Sequence, residues 1–288
     1  MKKKIFSAVL ATALATSVGV PTAFACYGVR AMGMGGAFIA VADDVQSVYW
    51  NPAGLANVKE KQFGWQKATN NREGINYIDI FELTMPLENG KSGIGLHYTN
   101  NREAAVYGTD SNNYAMNYKS SWWTLSYGEK INDKFAVGVN IRQEKESADG
   151  TVEGGITTLG KSSNTTYATD LGLFYKESDK LSYGLLIQDS SGRGKEANWR
   201  PAVAYRPDNK TIVAFDVYNA TEAYHSKREY SIGIEHKFSD KVAIRVGNYH
   251  GSMTYGAGVN VDKNIEINVA HLAKDLGGTN LIGAQTKF

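Results

Sequence analysis

Three things are scarce in this 288-residue chain, and each scarcity excludes a class of protein. One cysteine, Cys26, cannot build a framework of disulfides within the chain. Three of the 31 basic residues lie in the first 25 positions, which contain no acid, so 28 basic residues remain against 29 acidic ones. That balance excludes a nucleic-acid binder that relies on a basic surface. Beyond Cys26 no run approaches 18 apolar residues, so no membrane-spanning helix is predicted.

The N-terminus predicts export. Lysines 2–4 are followed by an apolar stretch over 5–20, and Ala23-Phe24-Ala25 supplies the small residues that a signal peptidase needs. The stretch is shorter than the roughly 20 residues that a transmembrane anchor requires. We therefore expect residues 1–25 to be a cleaved signal peptide. Lipoprotein cleavage before Cys26 is the alternative, although Ala23 stands where a lipobox usually has leucine.

Most of the remaining chain alternates with period two. In the windows 135–142, 230–238, 242–247 and 265–269, apolar residues alternate with polar residues or glycine. This pattern predicts strands with one apolar face and one polar, glycine-rich face. Short turns of Asn, Asp and Gly connect the strands at one end. Longer loops are predicted at the other end, over 101–112, 147–164, 189–198 and 219–226.

The sequence predicts an all-β fold, a transmembrane antiparallel β-barrel of about 14 strands. The alternatives are a secreted β-sandwich and a soluble β-solenoid, which also alternate. The regular apolar face and the aromatic residues near strand ends favour the barrel. The predicted aromatic girdle comprises Tyr127, Tyr175, Phe238 and Phe288 at one end and Tyr98, Tyr218, Tyr249 and Tyr255 at the other. The predicted strands lie near 60–69, 75–87, 91–100, 113–130, 134–146, 165–177, 181–189, 199–206, 211–219, 227–238, 242–250, 253–261, 265–273 and 278–288.

Residues 26–59 do not alternate and carry recognisable motifs. They contain Arg30-Ala31-Met32-Gly33-Met34-Gly35-Gly36-Ala37, an Asp43-Asp44 step, and Trp50-Asn51-Pro52-Ala53-Gly54-Leu55. This segment resembles the N-terminal signature of the long-chain fatty acid transporter (FadL-type) superfamily of outer-membrane barrels, which includes secretion-associated barrels of PorV type.

The resemblance implies that residues 26–59 form a small hatch inside a barrel built from 60–288. Its motif residues would be Gly33, Gly35, Gly36, Asn51, Pro52 and Ala53. The glycines allow the backbone to pack closely against an inner wall. Pro52 fixes a turn that Asn51 is able to cap. The alternative is that these residues only plug and stabilise the barrel.

The lumen side of the strands carries charges of both signs, which predicts ion pairs inside the barrel. The expected inward set is Asn140, Arg142, Asp170, Lys176, Asp216, Glu235, Lys237, Arg245, Glu266 and Asn268. In the resembled family the solute binds an apolar pocket near the outer loops and leaves sideways through the wall. The candidate apolar lining is Trp50, Met116, Trp122 and Trp123, although the tryptophan pair is equally compatible with an interfacial girdle.

Some segments resemble enzyme motifs, but none has the surrounding structure or residue spacing that the motif requires. Residues 155–162 fit a phosphate-loop pattern, yet no buried strand precedes them and no helix is predicted after them. The five histidines lack zinc-ligand spacing, and no nucleophile elbow exists. We therefore predict no enzyme, no catalytic residue, no metal and no cofactor.

These patterns and the resemblance together predict an outer-membrane channel for passive uptake of hydrophobic small molecules such as long-chain fatty acids. Its partners would be membrane lipid and a hydrophobic ligand, not nucleic acid. One alternative is a non-transporting barrel that acts as a secretion or envelope-assembly scaffold, with an envelope protein as partner. Another is a general diffusion porin.

Overall fold

The computed structural model describes residues 28–70, 75–109, 112–152, 158–192, 196–223, 227–273 and 278–288. The predicted signal peptide and Cys26 lie outside these residues. None of the described helices has the length and apolarity that crossing a membrane requires.

The chain first forms three short helical elements. Helix α1 (Val29–Gly33) and helix α2 (Ser47–Trp50) are each little more than one turn long, and a 3₁₀ helix follows (Pro52–Asn57). Proline is favoured at the first position of such a turn because its missing N–H is not needed there. We call residues 28–58 the hatch.

Fourteen strands form from the described residues after the hatch, and they close into an antiparallel barrel. The first strand pairs with the last without a break, from Gln62↔Lys287 to Asn70↔Thr279. The predicted all-β barrel of fourteen strands is confirmed. The strands are β1 (Gln62–Asn70), β2 (Ile75–Pro86), β3 (Ser92–Thr109), β4 (Asn112–Lys130), β5 (Phe135–Val152), β6 (Thr158–Lys176), β7 (Leu181–Gly192), β8 (Asn198–Tyr205), β9 (Thr211–Tyr218), β10 (Glu229–Lys237), β11 (Val242–Tyr249), β12 (Ser252–Asn260), β13 (Ile265–Leu272) and β14 (Thr279–Lys287).

Turns of a few residues connect the strands at the end that also holds residue 288, and we call this the short-turn end. The opposite end is the hairpin end. Here two predicted loops, 101–112 and 147–164, were wrong. Strands β3 and β4 pair from Ser92↔Glu129 to Thr109↔Asn112, and β5 pairs with β6 as far as Thr151↔Thr158. The predicted loop over 189–198 is also shortened, because β7 extends to Gly192.

The physical reason lies in what surrounds these hairpins. Strands β3 to β6 have 18 or 19 residues, about twice the length that a bilayer requires. Beyond an apolar band both faces of a strand meet water, so the period-two signal disappears while the hydrogen-bonded ladder continues. The same pairing places Lys161 and Ser162 in β6, an extended geometry that excludes a phosphate loop.

Neighbouring residues on each strand have opposite environments. On β5, Ile141 is 57% exposed on the outside, whereas Arg142 beside it is 6% exposed on the inside. Most of the predicted inward set is buried as expected, but Lys176 and Lys237 are exposed, since both lie at the short-turn rim. The outer apolar surface includes Phe63, Phe81, Leu125, Ile141, Leu171, Ile232, Ile244, Ile267 and Ile282.

Candidate functional site: the hatch and the lumen wall

The hatch lies inside the barrel at its short-turn half. Asp43 is its one exposed residue, and Trp50, Phe38 and Leu55 are fully buried. Close contact is possible because the inner wall carries glycine where the hatch backbone approaches. A Cβ at any of these positions would lie within 3.0 Å of a hatch backbone atom. The glycines are Gly93, Gly128, Gly138, Gly184, Gly233, Gly247 and Gly256, which we call the glycine belt.

Asn51, Pro52 and Ala53 anchor the hatch to one side of this belt. The Asn51 Oδ1 accepts a hydrogen bond of 3.1 Å from the Ala53 amide and so caps the 3₁₀ helix. Its Nδ2 donates to the carbonyl of Ile39 in the hatch and to that of Leu173 in β6, both at 3.0 Å. The side chain therefore ties the helix, the rest of the hatch and the barrel wall together.

The three motif glycines lie against the opposite wall. Gly35 (φ 65°) and Gly36 (φ 71°) both adopt left-handed backbone that disfavours other residues. Gly35 fits between the backbones of β10 and β11, and Gly36 lies against the rings of Tyr249 and Trp50. Gly33 packs on Arg245 and β12. The two halves of the motif thus span the lumen.

Tyr249 was expected in the outer girdle, and this was wrong. It is buried inside the barrel, and the side chain of Tyr218 also lies on the inward face of its strand. For Tyr218 the orientation follows from the alternation along β9, because Asp216, two residues before it, is buried and Phe215 is exposed.

The candidate ligand-lining tryptophans separate into different environments. Trp50 is fully buried and makes edge contacts with the rings of Phe38 (6.3 Å) and Tyr49 (5.5 Å). Trp122 faces the lumen and packs on the same core. Trp123 is 46% exposed on the outer surface, where it contacts Tyr98 at 4.3 Å. The predicted Met116 lies in β4, and its side chain is outside what the structure describes.

An apolar sector of the wall lies at the hairpin-end half of the lumen. Its residues come from four adjacent strands, β13, β14, β1 and β2, and form one buried cluster with Phe38 and Trp50 of the hatch. The members of this sector are Ala68, Ile78, Ile80, Ala270, Leu272 and Leu281.

No protein-family model and no curated protein matches the chain. Solved structures do match it. The toluene transporter TodX of P. putida superposes with a TM-score of 0.68 at 12% identity, over 91% of this chain and 98% of TodX. The monoaromatic hydrocarbon channel CymD gives 0.66 at 14% identity, over 91% and 97%. A FadL homologue of Pseudomonas aeruginosa gives 0.61 at 12% identity, over 90% and 95%.

The chain has the fold of these channels. An ionic cluster lies inside the short-turn half of the barrel, and the sequence indicated it only in part. The charge pattern predicted ion pairs between strands, but the central partner, Arg30, comes from the hatch. Its Nε and Nη2 donate to the two carboxylate oxygens of Glu235, each at 2.8 Å. Arg245 donates to Glu235 at 2.6 Å, and Arg30 also pairs with Asp44 at 2.9 Å.

The carboxyl of Asp44 is buried beside Arg30 in the hatch. Burial raises the pKa of its carboxyl to about 6, against the opposing attraction of Arg30. A polar cavity of about 290 Å³ borders this cluster and extends along β10 to β14 towards the short-turn end. Its lining includes Arg30, Asp43, Glu235, Lys237 and Arg245.

A second buried network joins the start of the hatch to β1, β2 and β3. The Gln66 Oε1 accepts from the Val29 amide at 2.5 Å, and its Nε2 donates to Glu82 at 2.6 Å. Glu82 is also within 3.1 Å of the His97 Nδ1. Period-two alternation placed such side chains inwards, but pairing across strands is not visible in a single strand's pattern. The described residues hold no group of three His, Cys, Asp or Glu side chains placed to bind a metal ion.

Proposed function

We propose that this protein is an outer-membrane channel through which hydrophobic small molecules enter by passive diffusion. The observation that carries the proposal is the apolar sector above the buried hatch. A solute entering from the hairpin end would approach Ile80 and Leu281 on the wall and the Trp50–Phe38 pair of the hatch, which belong to one buried apolar cluster. Moving the apolar area of the solute from water into contact with this cluster is favourable.

The fold supports the same proposal. TodX and CymD are described as a toluene transporter and a monoaromatic hydrocarbon channel, and this chain superposes on nearly the whole of each. The outward apolar residues fit a lipid environment, as expected for a protein of the outer membrane.

A general diffusion porin is disfavoured by the hatch. A porin needs a continuous water-filled lumen, whereas residues 28–58 are buried against the wall on several sides. Steady ion conductance through single barrels in a planar bilayer would favour the porin and contradict the proposal.

The two adjacent tryptophans of β4 provide a matched test of uptake. The folded barrel would be purified, extracted with organic solvent, and its retained apolar molecules quantified by mass spectrometry against a detergent blank. Trp122→Ala removes a ring from the lumen and should lower retention several-fold. Trp123→Ala removes an outer ring and should leave retention unchanged. No retained molecule in the unmodified protein would contradict the proposal.

The scaffold alternative is favoured by one separate observation. Among the described residues, the part of β6 from 158 to 165 pairs with β5, and no pairing with β7 is seen before Ala168. An unpaired strand edge is able to accept a strand from another protein. Stoichiometric copurification of an envelope protein, lost when this hairpin is shortened, would support the scaffold.

A further inference from the structure

Opposite the apolar sector, the hairpin-end half of the lumen is polar. The side chains concerned lie on five adjacent strands, β5 to β9, and each is buried. They comprise two guanidinium groups and four carboxylates, so this polar sector is acidic among the described residues. The charged members are Arg142, Arg200, Glu144, Asp170, Asp189 and Asp216.

Both arginines are already engaged. Arg142 pairs with Asp170 at 3.5 Å and with Asp189, which has a positive φ of 55°. The guanidinium of Arg200 lies over the ring of Trp50 at 5.3 Å and over that of Tyr218 at 4.9 Å. The excess of carboxylates therefore disfavours an anionic solute, since like charges repel strongly away from water.

Asn198 is the exceptional member of the sector. It lies on the inward face of β8, next but one to Arg200, and is 1% exposed. Neither its Oδ1 nor its Nδ2 has a hydrogen-bond partner in the described part of the chain. A buried amide normally has partners, because an unmade hydrogen bond costs free energy. The Asp216 Oδ1 is also without a partner among the described residues, although its Oδ2 accepts from the amides of Phe38 and Ile39.

We infer that the channel selects neutral ring compounds that carry a hydroxyl group, such as phenols and aromatic alcohols, over both plain hydrocarbons and carboxylates. The apolar ring would lie beside Asn198, next to the Trp50 ring of the hatch that Arg200 of the same strand also contacts. The hydroxyl would donate to the Asn198 Oδ1 and accept from its Nδ2. This inference rests on the proposed uptake function and narrows its substrate class.

The test compares three probes of equal ring size: 4-ethylphenol, ethylbenzene and 4-ethylbenzoate. Binding would be measured by equilibrium dialysis on the full barrel in lipid nanodiscs, with empty nanodiscs subtracted. We expect 4-ethylphenol to bind at least about tenfold more tightly than either other probe, because a site built for a hydroxyl rejects analogues that lack it.

Two variants locate the effect. Asn198→Leu should reduce the preference for 4-ethylphenol over ethylbenzene to about one, because no unsatisfied amide then remains. Asn117→Leu makes the same change on an exposed part of β4 and should retain the full preference. Both proteins must keep the heat-dependent gel shift of a folded barrel.

The outcomes separate the inference from the function. Ethylbenzene binding as tightly as 4-ethylphenol, or 4-ethylbenzoate binding most tightly, would overturn the inference while leaving hydrophobic uptake intact. A preference unchanged by Asn198→Leu would also overturn it. Failure of all three probes to bind the folded, unmodified barrel would overturn both the inference and the proposed function.

Discussion

Arg30 of the hatch and Glu235 of β10 form a two-pronged ion pair inside the barrel, with both donor–acceptor distances at 2.8 Å. The two residues are 205 positions apart in the chain. Glu235 is fully buried and also accepts from Arg245, so one carboxylate serves two guanidinium groups. The hatch and the barrel wall are therefore joined by a buried, charge-assisted contact. Removing either partner would leave the other charge buried and uncompensated.

Glu235→Gln should destabilise the protein. The substitution leaves Arg30 and Arg245 buried with less compensating charge, and breaking a buried pair in this way costs about 3–5 kcal/mol. The measurement is the free energy of unfolding from urea titration in lipid vesicles. Asp79→Asn is the control, because its 3.9 Å pair with Lys67 is partly exposed and should contribute at most about 1 kcal/mol. Equal losses of unfolding free energy in the two variants would contradict a stabilising role for the Arg30–Glu235 pair.

Gly138→Ala should loosen the hatch. The added methyl group would collide with the backbone of Pro52 and Ala53. Overpacking of this kind costs about 1–3 kcal/mol, and displacement of the hatch should produce ion conductance in planar bilayers. Val139→Ala changes the next, outward-facing residue and should leave conductance at the background level. A Gly138→Ala barrel with background conductance and unchanged stability would show that the hatch backbone is not in close contact with the wall at this position.

Asn51→Ala should cost about 1–3 kcal/mol of unfolding free energy. It removes a helix cap and takes away one side-chain donor from each of the carbonyls of Ile39 and Leu173. Asn132→Ala provides the comparison, since that side chain accepts similar backbone hydrogen bonds in an exposed turn where water replaces them. The loss for Asn132 should therefore be clearly smaller.

Stability should decrease between pH 5 and pH 8 because of Asp44. Its pKa is raised to about 6 in the folded protein by burial, above the value of about 3.9 for an unfolded chain. The carboxyl therefore favours folding in its protonated form, and that contribution is lost as the pH rises through 6. Because the unfolded carboxyl is already mostly ionised at pH 5, the expected loss between pH 5 and pH 8 is about 1.4 kcal/mol, roughly half of the total that accumulates from pH 3 upwards. Asp44→Asn should flatten the difference between unfolding free energies at pH 5 and pH 8, and an unchanged pH profile would exclude Asp44 as its source.

Strand number and closure could be predicted because apolar and polar residues alternate along the part of each strand that carries the outer apolar surface. Alternation does not predict the orientation of Trp122 and Trp123. Period two requires that adjacent residues face opposite sides, but both are apolar, so the pattern does not say which one faces the lumen. The structure decides this through Ser120 and Thr124, which are buried in phase with Trp122.

The hatch contacts were less accessible to sequence reasoning. Gly33, Gly35 and Gly36 were recognisable as a motif, whereas the matching glycines of the wall are scattered over many strands. Arg30 and Glu235 are likewise joined only after the barrel closes. Long-range partners of this kind depend on strand register and shear, which a single strand's composition does not specify.

The glycine belt has a consequence for the dimensions of the barrel without its hatch. Glycine contributes no side chain, so the wall is thinnest at the level where the hatch lies. Elsewhere the interior is occupied by side chains such as Arg142, Ile80 and Leu281. The bore of the bare cylinder is therefore widest at the level where the intact protein is shut.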